Sequence, residues 1–153
     1  MDLRTPQGVG YAQEVGFGTI QERGRLAADG LPNKLVYAGF SLGALPAQML
    51  AQTKPGATGA MLFHSCVPTS AFGSPWPHGV PLQIHMMEAD AEALPPNEDL
   101  DVARQLAETV ESAELFLYPG DRHLFADRSL PDYDEHAAGL LMERVLGFLD
   151  TIE

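Results

Sequence analysis

The stretch that decides the fold is LVYAGFSLG, at residues 35–43. Residues 35–38 are a short apolar run that ends at a glycine, which is typical of a buried strand. Residues 39–43 then match the pattern G-x-S-x-G, and the Ala/Leu/Met-rich segment at residues 42–52 predicts a helix. We therefore expect a sharp strand-to-helix turn that raises the hydroxyl of Ser41 above the end of the strand.

Three further apolar runs predict short buried strands, at residues 59–63, 82–86 and 115–117. A helix capped by Asn97 is expected before the last of these strands, and a final helix is expected over residues 135–152. The inner face of that final helix carries apolar residues at helical spacing: Ala137, Leu141, Val145, Phe148 and Ile152. Apolar strands that alternate with amphipathic helices predict an α/β fold, with a mostly parallel sheet covered by helices on both faces.

The remaining segments are assigned by composition and spacing. Residues 1–11 are polar and glycine-rich and predict a loop, whereas residues 12–31 place apolar positions at helical spacing before a stop signal. Residues 65–80 hold three prolines and two glycines, which predicts a long loop. Phe72 and Trp76 in that loop could line a binding pocket, or they could pack as an inert lid.

The bulk composition excludes several classes of protein. A length of 153 residues with 45% hydrophobic and 20% charged residues predicts one globular domain over residues 1–153. The net charge of -12 argues against nucleic-acid and anionic-membrane partners, because both need a basic face. The single cysteine, Cys66, excludes an intrachain disulfide or a thiolate zinc cluster. Without a signal peptide or a membrane-spanning apolar run, a cytoplasmic location is expected.

Three residues in the order serine, aspartate, histidine follow predicted strands. A serine hydroxyl needs a neighbouring base, and the base needs an orienting acid. Asp90 lies just beyond the strand at 82–86 and His123 just beyond the strand at 115–117, so both belong with Ser41 at the carboxyl edge of the sheet. This pattern predicts a catalytic triad, and the N–H of Leu42 is the expected oxyanion donor.

Each triad residue also has a structural interpretation. Ser41 could simply cap a helix, Asp90 could be a solvated loop carboxylate with Glu88 and Glu92 as competing acids, and His123 could lie in a surface turn. The agreement in chain order and strand position favours the catalytic interpretation over these alternatives.

Other residues are weaker candidates for a binding role. Phe40, His64 and Trp76 are the candidates for contact with a substrate, although a packed or hydrogen-bonded histidine is the more common outcome for His64. A metal site of His64, His85 and His123 is disfavoured because these residues lack any short ligand spacing. Dinucleotide binding is disfavoured as well, since no glycine pair near the N-terminus completes the three-glycine motif.

Three segments carry a resemblance to a known family. LVYAGFSLG (35–43), IHMMEAD (84–90) and YPGDRHLF (118–125) resemble the nucleophile, acid and histidine segments of the dienelactone hydrolase family, and the likeness runs from about residue 12 to the end. The resemblance implies an α/β-hydrolase fold that opens cyclic and linear esters without a metal or organic cofactor. It also implies a small-molecule ester or lactone substrate, a nucleophile elbow at Ser41, an acid at Asp90 and a base at His123.

The chain departs from the pattern of this family in three ways. Ser41 stands where the namesake enzymes carry a cysteine, which favours a plain carboxylesterase over a dienelactone hydrolase. Met87 stands where the acid segment usually has a glycine. The family also has further strands before the nucleophile strand, one of which leads into the loop that gives a second oxyanion N–H. The fold is therefore expected to be N-terminally truncated, with an open sheet edge that would permit a homodimer.

Three functions remain open at this level. The leading prediction is a serine esterase-type hydrolase that acts on esters or lactones through an acyl-enzyme intermediate. A truncated, non-catalytic relative that binds a partner through its open edge is the alternative from another class. Acyl transfer or thioester hydrolysis on the same triad is a third option, and only substrate profiling separates it from the first.

Overall fold

The computed structural model describes residues 6–152. The chain divides into two compact units between Pro32 and Asn33, and each is described by itself. None of the helices in the described range is both long and apolar enough to cross a bilayer. The single domain expected over residues 1–153 stays a prediction.

The N-terminal unit consists of two helices, α1 (Pro6–Val15) and α2 (Phe17–Ala28). Residues 6–11 are therefore helical, and the loop predicted for them is wrong, while residues 1–5 of that prediction lie outside the described range. Pro6 suits the first helical position because its fixed φ matches the helix and its missing N–H is not needed there. The glycines of this segment lower helix propensity without preventing the helix.

A single helix over residues 12–31 is also wrong, because the chain breaks at Gly16. Its φ of +87° is open to glycine and strained for other residues. The second helix then ends at Ala28, three residues before the predicted end.

The second unit is an α/β sheet structure whose four strands match the predicted ones to within two residues at each end. The elements in chain order are β1 (Leu35–Phe40), α3 (Ala44–Thr53), β2 (Ala57–Phe63), β3 (Leu82–Met87), α4 (Asp99–Thr109), β4 (Ala113–Tyr118) and α5 (Glu135–Asp150). Short 3-10 turns occur at Ser41–Gly43 and Thr69–Phe72. The second of these turns lies within the long loop predicted for residues 65–80.

All four strands of this sheet are parallel and lie in the order β1-β2-β3-β4. The predicted α/β class with a parallel sheet is therefore confirmed. Because consecutive strands are neighbours and run the same way, their carboxyl ends form one edge, and the segments that follow them meet there. Among the described strands, β1 and β4 are the two outer ones.

The core on one face of the sheet is made by α5. Ala137, Leu141 and Phe148 of this helix are buried in a cluster with Met61 and Phe63 of β2. Val145 and Ile152 pack against the same cluster, as the apolar spacing of the sequence predicts. The helix begins with a capping bond, in which the Asp134 carboxylate accepts the backbone N–H of Ala137 at 2.9 Å.

The predicted cap of α4 is wrong. The residue before the helix is Glu98, with a left-handed φ of +62°, and its side chain makes no capping bond. The Asn97 side chain instead donates to the carbonyl of Glu92 at 2.9 Å and closes the preceding loop. Asparagine serves turns as well as caps, so composition alone could not distinguish the two uses.

Candidate active site

The turn after β1 holds Ser41 in a strained backbone conformation. Its φ is +50°, a left-handed value that costs a non-glycine residue roughly 1–3 kcal/mol. The two glycines of the motif contribute differently to this turn. A Cβ on Gly39 would overlap the carbonyl of Gly43 and lie 2.7 Å from the nitrogen of Ala44, whereas a Cβ on Gly43 would meet no described atom within 4 Å. Only Gly39 is required by the close approach of the backbone.

Ser41, His123 and Asp90 form a continuous hydrogen-bonded series. Ser41 Oγ lies 2.8 Å from His123 Nε2, and His123 Nδ1 lies 2.7 Å from Asp90 Oδ2. A carboxylate only accepts, so Nδ1 carries the proton and Nε2 is left to accept the serine O–H. The three residues predicted as a triad therefore lie together, in the order that general-base activation of a serine requires.

The loop after β3 fixes the carboxylate of Asp90. This side chain is only 1% exposed, and its second oxygen accepts the backbone N–H of Glu92 at 2.9 Å. The competing acids Glu88 and Glu92 are exposed to solvent. Both oxygens of Asp90 are thus engaged, which orients the oxygen that receives His123.

The turn that carries His123 contacts Met87, the residue that stands where the family usually has glycine. The backbone N–H of Arg122 donates to Met87 Sδ at 3.2 Å. Gly120 has a φ of +132°, and a Cβ there would lie 2.7 Å from the same sulfur. The thioether therefore contacts the turn that leads to His123, and in the sequence only the departure from glycine indicated that this position is unusual.

His64 directly follows β2 and lies beside His123. It too is left-handed, with a φ of +69°, and its side chain is 1% exposed. Neither ring nitrogen has a hydrogen-bond partner among the described residues. Burial, and then the charge of His123, lower the pKa of His64 to about 3, so the ring is neutral at ordinary pH. Leaving a buried polar group without a partner costs about 1–3 kcal/mol.

His85 lies one strand further along and is equally buried, but both of its ring nitrogens have partners. Nδ1 lies 2.9 Å from the hydroxyl of Tyr118, and Nε2 lies 3.1 Å from the amide oxygen of Gln83. Its ring stacks between Phe63 and Phe116, each at 5.2 Å between centroids. Burial lowers the pKa of His85 to about 3, with Arg144 acting in the same direction.

The other binding candidates divide between the two ends of the sheet. Phe40 immediately precedes Ser41, is 51% exposed and stacks on Phe63 at 4.3 Å. Trp76 instead donates its indole N–H to the carbonyl of Val80 at 2.7 Å, just before the amino end of β3. The structure thus brings Phe40 to the triad and leaves Trp76 near the opposite end of the strands.

Leu42 is the second residue of the 3-10 turn that leads into α3. This position places its N–H at the start of the helical segment, where an oxyanion would be stabilised, and its role as donor stays a prediction.

Cys66 is buried against Asp99, and burial raises the pKa of its thiol well above the ordinary value, which disfavours a reactive thiolate. No group of three metal-ligating side chains is found within residues 6–152.

A sequence profile of the dienelactone hydrolase family matches residues 22–153. The chain belongs to the dienelactone hydrolase family. The resemblance carried by the segments around Ser41, Asp90 and His123 is thereby confirmed at the level of the family. None of the curated proteins compared with the chain matches it.

Two solved structures share the fold of this family member. A Klebsiella pneumoniae protein provisionally identified as a dienelactone hydrolase superposes with a TM-score of 0.59 at 20% identity, over 89% of this chain and 60% of the other. A promiscuous phosphotriesterase similar to dienelactone hydrolase, from metagenomic libraries, gives a TM-score of 0.61 at 18% identity, over 97% of this chain and 66% of the other. The chain thus spans less than two thirds of the length of either structure.

Proposed function

We propose that the protein is a serine hydrolase that cleaves carboxylic esters or lactones through an acyl-enzyme intermediate. One observation carries this proposal: Ser41 Oγ lies 2.8 Å from His123 Nε2, while Asp90 holds the other nitrogen of the same ring at 2.7 Å. Membership of the dienelactone hydrolase family supports the same class of reaction.

The first half of the proposed reaction is the acylation of Ser41. Nε2 of His123 takes the hydroxyl proton while Oγ attacks the carbonyl carbon, and Asp90 stabilises the imidazolium that forms. The N–H of Leu42 faces the oxyanion of the tetrahedral intermediate in this scheme. The intermediate then collapses, the C–O bond to the alcohol breaks, and the alcohol leaves with the proton from His123.

The second half is hydrolysis of the acyl-enzyme. His123 removes a proton from water as the water oxygen attacks the acyl carbon, and the intermediate collapses to the free acid and Ser41. In a lactone the alcohol and the acid belong to one molecule, so the product is a single hydroxy acid. The reaction needs no electron transfer and no co-reactant besides water.

The test is time-resolved release of p-nitrophenol from its acetate and butyrate esters by the full chain and by Ser41→Ala. We expect a burst and then turnover in the parent protein, and a loss of at least about a thousandfold in the variant. Ser70→Ala is the matched control, because Ser70 is an exposed serine in the loop after β2. Mass spectrometry after brief mixing should place the acyl group on the peptide that contains Ser41.

Equal background rates in the parent protein and in Ser41→Ala, with both shown to be folded, would overturn the proposal. In that case the chain would be better described as a non-catalytic relative that binds a partner through β1, the outer strand of the described sheet.

A further inference from the structure

His64 forms one wall of the space around the base. Its ring meets Phe125 edge-on at 5.0 Å between centroids and at an interplanar angle of 87°. The same ring lies 5.7 Å from the ring of His123 and 5.8 Å from that of Phe40. His64 therefore packs directly against the side chain that takes the serine proton, although it makes no hydrogen bond to the triad.

An imidazole is an unfavourable choice for this position if packing alone is required. Both ring nitrogens are closed to solvent and lack partners in the described part of the chain, and a phenyl ring would fill similar space without leaving polar atoms unpaired. The left-handed backbone adds strain at the same residue. Two unfavourable features at one residue, next to a candidate base, call for a functional explanation.

The charges around His64 indicate what the imidazole can offer. The titratable groups that act on it are His123, Asp90 and His85, and the other neighbouring rings, Phe40 and Phe125, carry no charge. A protonated His64 would oppose the positive charge that His123 acquires during the reaction, and burial keeps the ring neutral. A neutral imidazole still has one nitrogen with a lone pair and one that carries a hydrogen.

We propose that His64 is a positioning residue that holds the ring of His123 and stabilises its protonated form as a neutral dipole. Because no hydrogen bond fixes its tautomer, the lone pair can reside on the nitrogen nearer to His123 when that residue accepts the proton of Ser41. The proton stays on His123 Nε2 until it passes to the leaving alcohol, and none is transferred to His64. This inference rests on the proposed function, since it assigns a role within that reaction.

The test compares the full chain with His64→Phe, His64→Gln and the matched control His85→Phe, by kcat/KM against pH for p-nitrophenyl acetate. In His64→Phe we expect kcat/KM to fall about tenfold, as for loss of one polar interaction with a charged group, and the acidic limb to move to lower pH. His64→Gln, which keeps an uncharged polar group, should recover part of the loss. His85→Phe should keep the parent profile, because its ring nitrogens face Tyr118 and Gln83.

A second measurement keeps the inference testable if the chain has no esterase activity. The NMR titration of the His123 imidazole carbons should show a lower midpoint in His64→Phe than in the parent protein, whether or not an ester is turned over. An inactive chain with a lowered midpoint would overturn the proposed function, while the stabilisation of protonated His123 by His64 would still hold. Parent-like kcat/KM, acidic limb and His123 midpoint in a folded His64→Phe would reduce His64 to a packing residue. If that variant does not fold, His64→Gln decides by the same readouts.

Discussion

His64, which directly follows β2, and His85, which lies in β3, are two buried histidines that differ in how their ring nitrogens are bonded. Each is at most 1% exposed and each has a pKa lowered to about 3, first of all by burial. The nitrogens of His85 are both hydrogen-bonded within the sheet, whereas those of His64 have no partner among the described residues. Hydrogen bonds to both ring nitrogens give His85 a structural explanation. The unpaired ring nitrogens of His64, beside His123, instead support the functional role proposed for it.

The different bonding of the two histidines requires a correctly folded sheet. The substitution expected to destabilise that sheet most is Gly39→Ala, near the end of β1. The added methyl group would overlap the carbonyl of Gly43, which is backbone and cannot move aside cheaply, so we expect a loss of more than about 4 kcal/mol in the free energy of unfolding. Gly43→Ala, which meets no described atom within 4 Å, should fold normally. Urea unfolding of both variants measures the difference, and equal stabilities would show that the turn does not require glycine at position 39.

The second prediction concerns what the two histidines share, namely their response to acid. In the unfolded chain each takes up a proton near its ordinary pKa of 6.5, while in the folded chain the pKa of each is about 3. The unfolded state therefore binds more protons between these values, and stability falls as the pH drops through that window. Each histidine contributes a slope of up to about 1.4 kcal/mol per pH unit.

Urea unfolding of the parent protein and of the double variant His64→Phe/His85→Phe from pH 6 to pH 4 measures this slope. The free energy of unfolding of the double variant should depend less steeply on pH, because about two fewer protons are taken up on unfolding. His78→Gln is the control, because this histidine is 92% exposed and should leave the slope unchanged. Parallel curves for the parent protein and the double variant would contradict the shared burial of the two rings.

The third prediction separates the two histidines by stability at neutral pH. His85→Phe removes two buried hydrogen bonds, with Tyr118 and Gln83, and should lower the free energy of unfolding by about 1–3 kcal/mol. His64→Phe removes no hydrogen bond to any residue of the described range, and it should unfold at the same temperature as the parent protein or above it. Thermal unfolding of the two single variants side by side checks this order, and the reverse order would undo the comparison.

The smallest effect is expected at Met87, which contacts the turn that carries His123. Met87→Leu keeps nearly the same side-chain volume and removes the sulfur that accepts the N–H of Arg122. We therefore expect the free energy of unfolding to fall by about 1 kcal/mol. Met86→Leu is the matched control, because Met86 is equally buried in the same strand. Chemical unfolding measures both variants, and an equal loss in each would assign the effect to packing alone.

Much of the fold was predictable because its signals are local. Four apolar runs bounded by glycine and proline indicated the four strands, and parallel pairing brings the segments after them to one edge by necessity. Ser41, Asp90 and His123 were therefore expected together from the serine motif, the chain order and their positions after predicted strands. The errors fell where local signals compete: the glycine-rich start of α1 resembles a loop, and Asn97 resembles a cap although it closes the neighbouring loop.

By itself the sequence determined the class of fold, the family and the three residues of the predicted triad, because periodicity and motif spacing are properties of the chain. Tertiary structure alone decided that Gly39 and not Gly43 is held by close backbone contact, and that His85 has partners where His64 has none. The physical reason is that the overlap at Gly39 depends on the backbone angles of the turn after β1, which residue types alone do not fix, and that the hydrogen bonding of the two histidines depends on atoms from distant segments. Their separation in space is set only when β2, β3 and the turn carrying His123 pack together.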